Sequence, residues 1–266
     1  MKKLFVVCFA VFISSFVISC SSSKEEIETI PVEERFAKAK VFFDQEDYLK
    51  AIEEFKLISV QNQGSEYADK AQYYLAECRF IREEYILAAT EYDNLVRTMP
   101  TSPFASLSRF KQALSYYKLS PRASLDQKYT RLALDQFQTY IEYSPKDSLV
   151  KDAEVKIAEL TNKLTEKLFE SGKLYYRLEY YKAATAYFEK VISEYQDSKV
   201  VESAMFWKAK TQTKRKDFDG ATSMLSELLA KFPTTDLKSE VVILQKNIED
   251  LKSEKIKEDQ DKLTAQ

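Results

Sequence analysis

Cysteine is the residue type whose placement in this chain most suggests covalent chemistry. The chain has three cysteines and no histidine, so the commonest general base and the commonest metal ligand are both missing. Cys20 follows an apolar run from Leu4 to Ile18 after a single serine, and a thiol at the end of an export signal is open to modification. Cys78 stands alone within an apolar pattern, and we expect it to be buried as a small hydrophobe.

The first nineteen residues have the composition of a secretory signal peptide. Two lysines precede an apolar run of about 15 residues, which is shorter than the roughly 20 residues that a bilayer span needs. Residues 17–20, Val-Ile-Ser-Cys, resemble a bacterial lipobox, in which the cysteine becomes the lipidated first residue. We predict a lipoprotein signal peptide in 1–19, lipidation of Cys20 and a tether in 20–32. The alternative is an ordinary signal peptide with an incidental cysteine.

The rest of the composition argues against catalysis and against nucleic-acid binding. The 40 basic and 42 acidic residues leave a formal charge of −2, which gives no general attraction to nucleic acid. The chain contains no glycine-rich phosphate loop, no metal-ligand spacing and no nucleophile elbow. We therefore predict that it is not an enzyme and that it uses no cofactor, no metal and no nucleic acid. The open alternative is an envelope hydrolase whose catalytic acid no motif reveals.

Internal repetition predicts the elements that position these residues. An alanine followed four places later by an apolar residue recurs in five units, at Ala51, Ala88, Ala133, Ala184 and Ala221. A second small residue precedes each of them, at Ala39, Ala76, Ala113, Gly172 and Ala209. Small residues let two helices approach closely, and aromatic residues fill the groove between helix pairs. The pattern predicts an all-α fold, an α-solenoid of five helix pairs like tetratricopeptide (TPR) repeats, with a period of about 37 residues.

Two departures from that period divide the array. Eight extra residues, Ser120 to Gln127, lie inside the third unit. Fourteen extra residues before Gly172, with apolar residues at helical spacing, predict one long helix from about Leu149 to Tyr176 that joins repeats three and four. We predict repeats one to three in 33–148. The long helix, repeats four and five and a capping helix then occupy 149–256, and 257–266 form a disordered tail.

Aromatic residues line the helix faces that would form the concave surface of such a solenoid. Nine of ten predicted inner positions are aromatic, and the two positions of each repeat lie seven residues apart on one helical face. Aromatic rings are common anchors for extended or helical peptides. The candidates for a peptide-binding groove are Phe36, Phe43, Tyr73, Phe80, Phe110 and Tyr117. The alternative is that these rings pack between adjacent repeats.

Charge along the same face is mixed at its start and basic at its end. The candidates for docking a partner are Lys173, Tyr176, Arg177, Lys210 and Lys214. Such cations would steer and pair with an acidic surface or with a chain-terminal carboxylate. The alternative is a solvated, functionless face.

The whole mature sequence resembles one family in particular. The lipobox, the five long repeats, the Ser120-Pro121 to Asp126-Gln127 loop and the long helix together resemble the BamD family, lipoproteins of the outer-membrane β-barrel assembly machine. The resemblance implies a non-enzymatic, lipid-anchored scaffold on the periplasmic face of the outer membrane. Its C-terminal repeats would dock on the POTRA domains of the barrel-forming subunit, and its N-terminal repeats would contact unfolded outer-membrane protein precursors.

One position departs from that family, and a second rival function, besides the envelope hydrolase, remains open. Some members use a basic residue for docking where this chain has Tyr187, so that contact is not carried over. The rival is a periplasmic TPR adaptor that coordinates cell division or peptidoglycan synthesis with the same architecture.

Overall fold

The computed structural model describes residues 30–264, which form eleven α-helices and no strand. The signal peptide, Cys20 and most of the tether lie outside the described residues, and their assignments stay predictions. Within the described range, no helix combines the length and the apolar character that a membrane span requires.

The helices follow one another as antiparallel neighbours. The first three pairs are α1 Val32–Asp44 with α2 Tyr48–Gln61, α3 Ala68–Ile81 with α4 Tyr85–Thr98, and α5 Ala105–Leu119 with α6 Lys128–Tyr143. Then come α7 Val150–Arg177, α8 Tyr181–Glu194, α9 Val201–Lys214, α10 Phe218–Lys231 and α11 Lys238–Thr264. Each helix packs mainly on the one before and the one after it, which confirms the predicted solenoid of five helix pairs.

The predicted small residues lie where paired helices touch. The alanines of the pattern are fully buried in both helices of every unit, and Gly172 is buried at the equivalent place in α7. Cys78 is also fully buried, and burial raises the pKa of its thiol to about 12. The thiol therefore stays protonated and packs as a small apolar group, as predicted.

The turn inside four of the five units is a Schellman motif that ends the first helix. Glu46, Glu83, Glu179 and Lys216 have φ between 60° and 62°. In each case the next N–H bonds to a carbonyl five residues back, for example Glu84 to Arg79 at 2.9 Å. A left-handed conformation costs a non-glycine residue about 1 kcal/mol, so helix packing stabilises these turns. Only the third unit, with its inserted loop, lacks this turn among the described repeats.

Gly172 lies too close to the neighbouring helix to leave room for a methyl group. A Cβ built there would lie 2.6 Å from Cε1 of Phe188, a ring that is fully buried on α8. We predict that Gly172→Ala destabilises the fold by about 1–3 kcal/mol through overpacking, although alanine is the better helix former by about 1 kcal/mol. Urea unfolding measures the change.

Two further variants isolate this effect. Gly64 has no heavy atom within 4 Å of its built Cβ, so Gly64→Ala should leave stability nearly unchanged. Adding Phe188→Leu to Gly172→Ala should recover part of the loss, because the smaller side chain leaves room for the methyl group. A Gly172→Ala variant as stable as the parent would contradict the prediction.

The long helix α7 belongs to two hydrophobic cores at once. Its N-terminal half packs Ala153 and Leu160 into the core of repeat three, and its C-terminal half packs Phe169 into the core of repeats four and five. The fourteen extra residues displace one packing site from the other by about 21 Å at 1.5 Å per residue. The two modules are therefore offset along one rigid helix, which runs from Val150 to Arg177, within one residue of the predicted limits at each end.

The last helix differs from its prediction. The capping helix was expected to end at Ile256 and to be followed by a disordered tail, but α11 continues to Thr264. Val241 and Ile248 are buried against repeat five, whereas residues 253–261 are exposed. This exposed stretch is a run of good helix formers without glycine or proline, which supports its helicity, and the Lys255 ammonium lies 5.9 Å from the Phe218 ring of repeat five.

Candidate protein-binding surfaces

The first two groove candidates pack against the following repeat. Phe36 lies 5.2 Å from Tyr67 and 6.2 Å from Tyr74 between ring centroids, and Phe43 lies 5.2 Å from Tyr74. Both rings are partly buried. They therefore join repeat one to repeat two and leave only part of their surface to a ligand.

The next two candidates behave in the same way. Tyr73 stacks on Phe104 with centroids 4.9 Å apart, and burial together with the nearby Glu77 carboxylate raises its pKa. The Phe80 ring lies 4.9 Å below the ammonium of Lys111, which comes from the next repeat. Both rings are partly buried and partly open.

The two candidates on α5 differ from each other. Phe110 is only 5% exposed and makes edge contacts with Phe137 and Tyr140, so it belongs to the core, and its assignment to a groove lining is corrected here. Tyr117 stays partly exposed and donates a hydrogen bond to Glu159, which raises the pKa of the phenol. The ammonium of Lys156 lies 4.7 Å from the Tyr117 ring.

One contact recurs at all four junctions between repeats. The ring four residues after the small residue meets a side chain from the first helix of the next repeat. The pairs are Phe43 with Tyr74 at 5.2 Å, Phe80 with Lys111 at 4.9 Å, Tyr117 with Lys156 at 4.7 Å and Tyr176 with Trp207 at 5.3 Å. These rings therefore pack between adjacent repeats. They also form part of the surface that the first helices of the repeats share.

Carboxylates neutralise the cations at the first two junctions. Lys40 lies over the Phe43 and Tyr74 rings, and its ammonium pairs with Asp44 at 3.0 Å. Lys111 pairs with Glu77 at 3.0 Å. The surface at these two junctions is thus aromatic with little net charge.

The junction of repeats four and five is basic. We call Lys173, Tyr176, Trp207 and Lys210 the basic cradle. The Lys210 ammonium lies 4.7 Å from the Trp207 ring and 5.7 Å from the Tyr176 ring, and no carboxylate in the described part of the chain pairs with it. Lys173 lies 5.8 Å from the same Trp207 ring and pairs with Glu170 at 2.8 Å. Both ammonium groups contact one indole, and Lys210, without a carboxylate partner among the described residues, gives this surface an excess of positive charge.

The structure brings three of the five docking candidates together. Lys173, Tyr176 and Lys210 meet in the basic cradle, and Lys214 follows one turn after Lys210 as an exposed residue. Arg177 lies apart from them. It lines a cleft of about 330 Å³ with Ala123 and Ser124 of the inserted loop.

Trp207 is the member of the cradle that sequence reasoning missed. It is the only tryptophan of the chain, and it lies two residues before the small residue Ala209. Tyr74 occupies the equivalent place before Ala76. The recurrence of an aromatic residue two positions before the small residue in repeats two and five could have identified Trp207 from the sequence.

The inserted loop of repeat three is held rigidly. The buried Gln127 amide donates hydrogen bonds to the carbonyls of Arg122, Ala123 and Leu125 at 2.9 to 3.3 Å. From α7, the Lys163 ammonium donates to the Ser120 hydroxyl at 2.8 Å, and the Lys167 ammonium donates to the Leu125 carbonyl at 2.7 Å. The carbonyls that accept these bonds turn inward, and the Leu125 side chain is left at the surface.

Comparison with known proteins places the chain beside outer-membrane assembly factors. A family model described as outer membrane lipoprotein (YfiO) matches residues 28–215, and a tetratricopeptide repeat model matches 203–235. The outer membrane protein assembly factor BamD of Rickettsia prowazekii is 28% identical over 178 residues, 66% of this chain and 71% of that protein. BamD of Haemophilus influenzae is 20% identical over 205 residues, 73% of this chain and 78% of that protein.

Solved structures of repeat proteins are similar at lower levels. A tetratricopeptide repeat protein from Parabacteroides merdae is 18% identical with a TM-score of 0.36, covering 82% of this chain and 72% of that one. The TPR2AB domain of yeast Sti1 is 13% identical with a TM-score of 0.37, covering 82% of this chain and 98% of that one.

Proposed function

The chain belongs to the outer membrane lipoprotein family (YfiO), and from this membership we propose that it is a lipid-anchored scaffold component of the outer membrane β-barrel assembly complex. The match covers about three quarters of the length of each relative named BamD, and that name supports a role in outer membrane protein assembly. The observation that carries the finer proposal is the basic cradle, where Lys210 has no carboxylate partner among the described residues.

The C-terminal repeats are the proposed docking site for the POTRA domains of the barrel-forming subunit. Lys173, Lys210 and Lys214 would pair with acidic side chains, and the Trp207 and Tyr176 rings would supply rigid apolar contact. The rings hold the two cradle lysines in place, so less side-chain freedom is lost on binding. Arg177 is left out of this docking site because it faces the inserted loop.

The N-terminal repeats are the proposed contact for unfolded outer-membrane protein precursors. Phe36, Phe43, Tyr73 and Phe80 combine partial burial with an open face, and their surroundings carry little net charge. An extended apolar segment would find anchors there without meeting strong charges. Simultaneous binding of a precursor by the N-terminal repeats and of the barrel-forming subunit by the C-terminal repeats would bring the two together without catalysis. The proposed role is therefore non-enzymatic.

Stable membrane anchoring is proposed to rest on a lipid at Cys20. The prediction is that Cys20→Ala releases the protein from the outer membrane or leaves it unprocessed, because a covalent lipid is the expected anchor. Metabolic labelling with a fatty acid should mark the parent protein and leave the variant unmarked. Label on the Cys20→Ala protein would contradict lipidation at this residue. In this arrangement the solenoid faces the periplasm.

Affinity purification from detergent-solubilised envelopes tests the proposed function. The barrel-forming subunit should co-purify with the tagged chain in a constant ratio, and the Lys173→Glu/Lys210→Glu variant should recover much less of it. Recovery of cell-division or peptidoglycan-synthesis proteins in its place would overturn the proposal in favour of an adaptor. Hydrolysis of peptidoglycan by the purified chain would overturn the non-enzymatic assignment.

A further inference from the structure

One edge of the solenoid exposes large apolar side chains at the turns inside repeats three and four. Leu125, in the inserted loop, is 49% exposed, and Leu178 and Tyr180, in the turn between α7 and α8, are 53% and 64% exposed. The two turns are neighbours, because Lys167 of α7 donates to the Leu125 carbonyl and Leu174 lines one cleft with Ala123. The exposed side chains therefore form a discontinuous patch along one edge of the solenoid.

The backbone holds this patch in a fixed conformation. Gln127, Lys163 and Lys167 fasten the loop that carries Leu125. The turn that carries Leu178 and Tyr180 is a Schellman motif closed by the hydrogen bond from the Tyr180 N–H to the Tyr175 carbonyl at 2.9 Å. Because the backbone is fixed, these apolar side chains stay exposed to water, which is unfavourable. Binding to another surface that covers them would remove this exposure.

Cations without carboxylate partners surround the patch. Arg122, Arg177 and Lys182 are exposed, and none forms an ion pair with any residue that the structure describes. The exposed carboxylates in the same two turns, Asp126 and Glu179, do not pair with these cations. Lys214, Arg215 and Lys216 continue the positive charge into the turn of repeat five. The same edge has no excess of cations in repeat one, where the turn before the exposed Leu49 carries Asp44, Glu46 and Asp47, of which Asp44 pairs with Lys40 and Asp47 with Lys50. The positive charge is therefore a property of repeats three to five.

We propose that this edge rests on an anionic lipid surface. We call it the basic turn edge, made of Arg122, Leu125, Arg177, Leu178, Tyr180 and Lys182. Leucine and tyrosine side chains at turn tips would enter the headgroup layer, and the arginine and lysine groups around them would pair with lipid phosphates. The apolar groups project singly from turns and lie in no groove, which suits a planar layer of headgroups better than a peptide.

This contact would orient the solenoid on the membrane. The inference rests on the proposed function in one respect, that the chain sits at a membrane surface. An anchor at residue 20 alone would not define which face of the domain points towards the bilayer. A second contact at repeats three and four would fix which face of the solenoid points away from the bilayer, and the inner helix surface would then be presented to partners in a constant direction.

Spin labelling of the mature chain in vesicles tests the contact. The chain, reconstituted in vesicles of equal parts phosphatidylglycerol and phosphatidylcholine, carries a nitroxide at Leu178→Cys. Cys78 is fully buried and should not react with the label. Collisions with a water-soluble nickel chelate should fall several-fold at this position, and collisions with oxygen should rise. The reduction should shrink in pure phosphatidylcholine, because the cations lose their counter-charge.

Two matched positions serve as controls. Leu49→Cys lies on the same edge with 56% exposure but beside a turn with no excess of cations, and Ile243→Cys lies on α11 with 70% exposure. Labels at both should stay accessible to the nickel chelate in either kind of vesicle. Charge reversal by Arg122→Glu with Lys182→Glu should restore nickel access at 178 while co-purification with the barrel-forming subunit is unchanged.

Two results would overturn the inference. A label at 178 as accessible to nickel as the label at 243 in anionic vesicles would show that the edge does not touch lipid. Protection that appears only after the purified barrel-forming subunit is added would assign the edge to a protein interface. Either result leaves the proposed function standing if the subunit still co-purifies with the chain, so the two failures are distinguishable.

Discussion

Reversing the charge of Lys173, Lys210 and Lys214 to glutamate should weaken binding to the barrel-forming subunit's periplasmic domains by at least about 100-fold, since close interfacial charge pairs contribute roughly 1.5 kcal/mol or more each. The Lys210 ammonium has no carboxylate partner in the described chain, so its charge is available to a partner. Reversal replaces attraction with like-charge repulsion. Titration calorimetry with the isolated periplasmic domains measures the loss.

The fold should survive this change. The Lys173 pair with Glu170 is partly exposed, and such pairs contribute little to stability. The matched control is Lys146→Glu with Lys151→Glu, two exposed lysines near the start of α7 that make no ion pair within the described residues. This control should bind like the parent protein. Equal losses in both variants would show a general charge effect, and no loss in the cradle variant would place the docking site elsewhere.

Salt offers a second check on the docking site. The affinity of the parent protein should fall as ionic strength rises, because the Debye length shortens from about 10 Å at 0.1 M to about 3 Å at 1 M. The cradle variant should show a weaker dependence, since fewer favourable charge pairs remain to be screened.

Helix pairing was predictable because it depends on short sequence spacings. The small residues recur at fixed intervals, and close helix approach requires small residues wherever it occurs. The long helix was predictable for a similar reason, since apolar residues continue at helical spacing across the fourteen extra residues. The extension of α11 past Ile256 was missed because its helicity depends on local propensity without an apolar face.

Side-chain directions across junctions were harder to predict. Phe36 and Phe110 hold the same place relative to their small residues, but Phe110 is 5% exposed and Phe36 is partly open. Phe110 is enclosed by Phe137 and Tyr140 of α6. Arg177 lies only four residues after Lys173, but its surroundings differ because the inserted loop packs beside its end of α7. The repeat pattern does not contain this loop and so could not predict the contact.

Replacing Phe36, Tyr73 and Phe80 by leucine should weaken binding of a peptide that ends in an aromatic strand by about tenfold while changing stability little. An aromatic pair contributes about 0.5–1.5 kcal/mol beyond the area it buries, and leucine keeps much of the apolar volume. Alanine at the same positions should also lower the melting temperature, since truncating a fully buried aromatic ring costs about 3–5 kcal/mol and these rings are half-buried. Fluorescence titration and thermal melts separate the two effects.

A fully buried ring provides the comparison that decides between groove and core. Phe137→Leu removes a ring that a ligand cannot reach, so it should lower the melting temperature and leave peptide affinity unchanged in the folded protein. If the leucine variants at 36, 73 and 80 behave like Phe137→Leu, their rings act only as packing between repeats. If they melt like the parent and bind peptide more weakly, the open faces of these rings are the recognition surface. Parent-like melting with parent-like affinity would place precursor recognition outside repeats one and two.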